Sequence, residues 1–306
     1  FFNCANMQAQ NNIGANDSLL VALMKQNPNN FDALLADPGQ YRIQILYTQI
    51  NRDKNNTPHF KEYSYRLNAN EYFYPASTVK FPLSVLALEK LNNLKITGLN
   101  KASTAIYDSV TARQETIYNN PYAIDGRQTI EQAIKEVLVV SDNNAANRLY
   151  EFLGQEYIHS QLANKGYPEV YIRNRLELGR TPLENRQTQS VQFYDANNKL
   201  IYTQPAQNNI GKLPYYNVLI GNGYLNSQDS LINAPLNFSE KNRISLSDLH
   251  HIMQSVIFPD QTASKQRFNL SNEDRNFLLQ WMHTTPTESS YPTYDSSEYY
   301  PAYAKF

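Results

Sequence analysis

The sequence predicts a mixed α/β fold, on three observations. Two runs of period-2 alternation, at residues 41–47 and 61–68, read as an antiparallel pair of strands. From Ser77 onward the apolar residues fall at helical spacing, with Val79, Leu83, Leu86, Ala87 and Leu91 on one side. Hydroxyl residues followed three positions later by a Gln or an acid, at Thr129, Ser245 and Ser271, open further helices. The 306 residues allow one large domain or two modest ones and suffice for a substantial core.

In chain order, residues 1–10 differ in character from the rest of the chain. Phe1 and Phe2 followed by Asn3-Cys4-Ala5-Asn6-Met7-Gln8-Ala9 resemble the end of an apolar export segment with a small-residue cleavage site. The expectation is an export-signal remnant or a disordered tail, and hence a periplasmic or secreted protein. A lipid-modified Cys4 is the competing reading, weakened by Asn3 just before it. Residues 17–36 read as a helix and a turn, with Leu19, Leu20, Leu23 and Met24 followed by Phe31, Leu34 and Leu35. The two strands come next, joined across a polar connection at residues 51–58, and then the Ser77 helix, where Pro82 falls early enough to be tolerated. The Thr129 helix should run into Ser141, and another should cover residues 144–153 and end at Gly154. Residues 181–240, rich in Asn, Gln, Tyr and Pro, show no sustained period and are expected to form a divergent loop insertion. The Ser245 and Ser271 helices carry the apolar stripes Leu249, Ile252, Met253, Val256 and Phe277, Leu278, Trp281, Met282. Residues 11–306 are accordingly expected to form a single domain.

Composition excludes several function classes. With 27 Lys plus Arg against 28 Asp plus Glu and a net charge of −1, the chain lacks the basic excess of a nonspecific nucleic-acid binder. At 41% hydrophobic it is not a disordered polyelectrolyte, and 10 Gly with 15 Pro exclude a collagen-like chain. The 23 Tyr and 37 Asn describe a polar, aromatic, loop-rich protein. No apolar run reaches the length of a membrane span. A single cysteine permits no internal disulfide and no cysteine metal cluster. His59, His159 and His283 are isolated, and adjacent His250 and His251 would point about 100° apart on a helix, so no metal site is expected.

Chemistry concentrates in two segments. Tyr74-Pro75-Ala76-Ser77-Thr78-Val79-Lys80 puts a hydroxyl where a helix begins and an amine three residues on, on the same face. A serine becomes a nucleophile when a neighbouring base takes its proton, and the helix N-terminus offers unpaired N–H groups to an oxyanion. Alone, the spacing is weak, being equally compatible with Ser77 as a helix cap and Lys80 as a solvated side chain. The second segment, Ser141-Asp142-Asn143-Asn144-Ala145-Ala146-Asn147-Arg148-Leu149, lies 64 residues downstream at the junction of two predicted helices. By itself it too could be a cap and turn.

Together, the S-x-x-K and S-D-N-x-A-A-N-x-L segments and their spacing resemble the serine penicillin-recognising enzymes, most closely the class A β-lactamases. The resemblance covers most of residues 15–180 and resumes at about 240–285. It implies helices packed on an antiparallel sheet plus an all-helical lobe bearing Ser141. It also implies an acyl-enzyme on Ser77, Lys80 as general base or proton relay, Ser141 as proton donor to the leaving nitrogen, and Asn143 as the holder of the substrate's side-chain amide. Arg175-Leu176-Glu177 falls 36 residues beyond Ser141, where the family carries R-x-E, which makes Glu177 the candidate deacylating acid and Glu184 a lesser one. The family's following Leu-Asn is absent, since Leu178-Gly179-Arg180 stands there. No K-T-G or K-S-G occurs in the chain, and the expectation is a C-terminally incomplete chain lacking the last strands. The implied substrate is a small-molecule β-lactam or a peptidoglycan peptide, with no metal or organic cofactor. A D-alanyl-D-alanine peptidase shares Ser77, Lys80, Ser141 and Asn143 but releases its acyl-enzyme slowly with β-lactams. A non-catalytic relative using the cleft or the Tyr-rich tail to contact peptidoglycan or protein is the third reading.

Overall fold

The computed structural model describes residues 17–211 and 213–303. The expected export remnant and Cys4 lie outside the described residues. The principal elements are α1 (Ser18–Lys25), α2 (Pro28–Ala36), β1 (Ile45–Arg52), β2 (Pro58–Tyr65), α3 (Lys80–Leu94), β3 (Thr104–Asp108), α4 (Ile130–Val140), α5 (Asn143–Leu153) and α6 (Gln155–Asn164). They continue with α7 (Pro182–Arg186), β4 (Gln187–Thr188), β5 (Ser190–Tyr194), β6 (Leu200–Gln204), five two-residue strands between 207 and 237, α8 (Leu246–Ile257) and α9 (Asn272–His283). The architecture is mixed α/β, and every strand pairing among the described residues is antiparallel.

The chain divides into two compact units. One holds the described residues up to Phe73 together with Ser245–Met253. Its β1–β2 hairpin pairs Ile45 with Tyr65 through Arg52 with Pro58 around a turn in which Asp53 Oδ1 accepts the N–H groups of Asn55 and Thr57. The strand expected at residues 41–47 starts later because Arg42 is left-handed (φ 51°) and the preceding residues form a turn. Likewise residues 17–36, expected as a helix and a turn, form two helices, since Pro28 at the first turn of α2 starts a new one. Leu20 and Met24 of α1 pack with Tyr65, Ile45 and Tyr63 on one hairpin face. His250 and His251 bring their rings to 5.6 Å, and each places Nε2 3.8 Å from Glu62 Oε1, so the adjacent pair converges on one carboxylate rather than diverging. Among the described residues no group of three His, Cys, Asp or Glu side chains is arranged to hold a metal ion.

The other unit, Tyr74–Ile244 with the described residues from Gln254 on, is organised around α3. Every residue from Lys80 to Leu91 is buried, so this helix is enclosed on all sides by α4, α5 and α6. Two ionisable groups on it are buried with partners: Glu89 Oε1 pairs with Lys165 at 2.7 Å, and Lys90 Nζ donates to the Phe152 carbonyl at 2.5 Å. Ile134, Val137 and Leu138 of α4 and Leu149, Phe152 and Leu153 of α5 complete the core. Gly154, at φ +75°, ends α5 and starts α6, and a Cβ there would meet Gln207 Oε1 at 2.1 Å.

The segment 181–240 is more ordered than its composition suggests. Thr181 and Glu184 form a reciprocal capping box for α7, and β5 and β6 join β3 in a three-stranded sheet of order β3-β5-β6. Val191 and Phe193 are fully buried while Ser190, Gln192 and Tyr194 are half-buried, a short period-2 run hidden among polar neighbours. Ser271 and Asp274 cap α9 reciprocally, whereas Thr129 caps α4 from one side only, because the Gln132 amide is turned to Glu136 and Tyr122. No helix among the described residues is long and apolar enough to cross a membrane.

Candidate active site

Ser77 does not cap a helix. It is the second residue of a 3-10 turn, Ala76–Val79, that leads into α3, and its carbonyl accepts the Lys80 N–H. Pro75 and the left-handed Ala76 (φ 44°) set the turn, and Thr78 ties it by donating its N–H and Oγ1 to the Pro75 carbonyl at 2.9 and 2.7 Å. Ser77 is half-buried and Lys80 fully buried, at 0% exposure, so the reading of Lys80 as a solvated side chain is excluded. The turn's first N–H groups, Ser77's among them, lack intrahelical partners by position.

The second segment is shaped by helix termini. Helix α4 ends at Ser141, which is left-handed (φ 63°) and donates its N–H to the Val137 carbonyl, while the Asp142 N–H reaches the Glu136 carbonyl at 3.2 Å. Asp142 then starts α5, its Oδ1 accepting the Ala145 N–H at 2.7 Å. That back-to-back stop and start turns Ser141 and Asn143 toward Lys80. Lys80 Nζ donates to Ser141 Oγ at 2.9 Å, to Asn143 Oδ1 at 2.5 Å and to the Ser141 carbonyl. Three acceptors around one amine compensate its burial. Because Ser141 Oγ accepts from Lys80, its own proton is directed away from the ammonium. Asn143 commits its Oδ1 to Lys80, which leaves the Nδ2 of this cavity-lining residue as a donor.

That cavity, of about 360 Å³, is bounded by Val140, Ser141, Asp142, Asn143, Asn144, Leu176, Glu177, Leu178 and Tyr299. The segment supplying Leu176 to Leu178 is fixed from behind. Arg175 Nε pairs with Glu151 Oε1 of α5 at 2.6 Å, both side chains at most 5% exposed, and its other nitrogens donate to the carbonyls of Glu184 and Gln187. Asn147 holds Leu176 by the backbone, accepting its N–H at 2.8 Å and donating to its carbonyl at 3.0 Å. Glu177 therefore follows the held residue instead of being it. Left-handed (φ 57°) and exposed, it makes no hydrogen bond or ion pair to a described residue. Glu184 is elsewhere, its carboxylate engaged by Arg113 at 2.7 Å and by Thr181. The structure thus joins Lys80, Ser141 and Asn143 by direct contact, sets Glu177 on the cavity wall and leaves Glu184 outside it. Ala76, Ser141 and Glu177 all occupy backbone conformations that cost a residue with a side chain roughly 1–3 kcal/mol, a form of strain that collects at functional sites.

Behind Ser141, one turn back on α4, lies Glu136. Its buried Oε1 accepts from Asn120 Nδ2 at 2.7 Å and Gln132 Nε2 at 2.8 Å, and burial, helped by nearby Asp142, pushes its carboxyl up to about 7.

Residues 29–294 match the family described as the β-lactamase enzyme family. The chain belongs to that family. Solved structures similar to this β-lactamase-family chain include an ancestral class A β-lactamase, 15% identical over 83% of this chain and 70% of that one, with a TM-score of 0.41. A β-lactamase from Chitinophaga pinensis is 13% identical over 85% and 69% of the two chains, at 0.41, and one from Sphaerobacter thermophilus 12% identical over 86% and 69%, at 0.37. No curated protein matches the chain. Family membership supports a serine-based hydrolase acting on a small-molecule substrate.

Sequence reasoning did not single out Glu136, Glu151 or the cavity-lining role of Leu176 and Tyr299. Asn147 was visible in its motif, and Tyr299 in the tyrosine-rich C-terminal composition. Glu151 and Glu136 carried no local signal, since a buried acid resembles an exposed one until its partners are known.

Proposed function

We propose that the chain is a serine hydrolase that forms an acyl-enzyme on Ser77 and hydrolyses β-lactam amides. The observation that carries this reading is the Lys80 amine, buried and bonded to both Ser141 Oγ and Asn143 Oδ1, which makes one chemical unit of segments 61 residues apart. Once the ammonium of Lys80, which donates three hydrogen bonds, has given up one proton to solvent, Ser77 Oγ attacks the lactam carbonyl carbon and its proton passes to the Lys80 amine. The oxyanion is met by the Ser77 N–H at the start of the turn. As the C–N bond breaks, Ser141 gives its proton to the departing nitrogen and regains one from Lys80. Water then attacks the ester carbonyl with Glu177 as the candidate carboxylate to take its proton, and a proton returns to Ser77 Oγ as the acyl–oxygen bond breaks and the product acid leaves. Export to the periplasm or medium suits a protein whose substrates are met there. The decisive test is nitrocefin hydrolysis with Ser77→Ala as control. A covalent penicillin adduct should appear by mass spectrometry on the parent protein alone, and an adduct on the Ser77→Ala variant would sink the mechanism.

A second reading is favoured by one observation: Asn147 holds Leu176, and Glu177 is exposed and uncommitted. A poorly positioned acid slows deacylation, which is the behaviour of a D-alanyl-D-alanine peptidase toward β-lactams. The deacylation rate in wild type and Glu177→Gln separates the two. Fast release that collapses in the variant supports hydrolysis, and slow release indifferent to the variant supports the peptidase.

A further inference from the structure

We propose that Tyr299 is a specificity-determining residue, the aromatic wall against which the acyl substituent of the substrate packs. This deepens the reading of the same site given above and rests on it. With Asn143 Oδ1 committed to Lys80, this cavity-lining residue keeps its Nδ2 donor, which calls for a carbonyl acceptor on the substrate. The lining also carries Leu176 and Leu178 on one segment and Tyr299 on another, among the polar residues Ser141, Asp142, Asn143, Asn144 and Glu177. A substituent that enters this cavity finds its apolar surface in two leucines and a tyrosine, which favour an uncharged ring. Asp142 and Glu177 on the same lining disfavour an anionic substituent.

The ring is held rather than loose. Tyr299 donates its N–H to the Asp295 carbonyl at 2.9 Å, and Asp295 Oδ1 accepts the Ser297 N–H at 2.7 Å, closing a tight turn. Tyr294 stands edge-on to Tyr299 with centroids 5.0 Å apart. Tyr299 is half-buried while its neighbour Tyr300 is exposed, so the turn presents one tyrosine to the cavity and the other to solvent. An aromatic contact held in place before binding loses little conformational freedom on contact with a ligand.

The test compares benzylpenicillin, which carries an aromatic acyl group, with 6-aminopenicillanic acid, which carries none. Two readouts are the ratio of their kcat/KM values, and the ratio of their affinities for Ser77→Ala protein by ligand-observed NMR titration. Tyr299→Ala should lower both ratios by about 2- to 12-fold, and Tyr299→Phe should restore them. Tyr299→Leu, which keeps bulk in the turn, should give an intermediate loss. Ratios unchanged in Tyr299→Ala, or lowered equally in Tyr299→Phe, overturn the assignment. Because the affinity ratio needs no turnover, a Tyr299-dependent ratio in a protein that hydrolyses neither compound upholds the wall and rejects the hydrolase.

Discussion

The buried pair Arg175–Glu151 ties the segment bearing Leu176 and Glu177 to α5, and its removal has a calculable consequence. Arg175→Met leaves Glu151, 4% exposed, with the Gln189 N–H at 2.8 Å as its hydrogen-bond partner, and strips donors from the carbonyls of Glu184 and Gln187. Breaking such a pair by deleting one member costs about 3–5 kcal/mol, most of it the stranded charge. With an unfolding entropy of roughly 2.1 cal/mol/K per residue over the chain, a loss of about 4 kcal/mol lowers Tm by about 6 °C. Glu151→Leu should cost a similar amount. The double variant Arg175→Met/Glu151→Leu should be more stable than either single one, since no buried charge is left alone. Thermal and urea unfolding followed by circular dichroism give all four corners of the cycle. Additive losses, with the double variant the least stable, would refute the reasoning. Should a single variant fail to fold, Arg175→Lys, which keeps the charge but loses the planar fork, supplies a milder perturbation in the same direction.

Two further predictions concern pH. The Glu136 carboxyl is raised by burial to about 7, so the unfolded chain gives up this proton first as pH climbs. Its contribution to stability is complete below about 4.5 and is lost as pH rises through 7; urea unfolding of Glu136→Gln should gain up to about 3 kcal/mol on wild type between pH 4.5 and 8, and parallel curves would count against it. His159 is the opposite case. Burial, aided by Arg173, lowers it to about 4, and its Nε2 accepts the Ile172 N–H at 3.1 Å, which requires a neutral ring. On acidification the unfolded chain takes up this proton first, so stability falls from about pH 6.5 toward 4. His159→Gln should flatten that fall, and an unchanged acid limb would reject this role for the ring.

Much of the candidate site's geometry was legible because its determinants are local. Ser77 and Lys80 are three residues apart, Ser141 to Asn143 are consecutive, and Gly154 stops α5 by its own conformational freedom. The boundaries missed were those set by neighbours. The 3-10 start of α3 follows from Pro75 and Ala76, and β5 was hidden because its buried face shows only Val191 and Phe193 between polar residues. The acid proved least readable. Its sequence spacing points to Glu177, but the clasp that fixes the segment comes from Asn147 on α5 and grips the backbone of Leu176, a long-range choice no local pattern encodes.

Ser141 carries a consequence of its own. It terminates α4 in a left-handed conformation that glycine adopts at no steric expense and that costs serine roughly 1–2 kcal/mol. The same residue brings the hydroxyl that Lys80 grips. Glycine here would relieve the backbone but take one of three acceptors from the buried Lys80 amine, and the two effects are of similar size. Strain at residue 141 is therefore held in place by the burial of Lys80 rather than by local preference, and substitutions at 141 should become stabilising only in a background where residue 80 is uncharged.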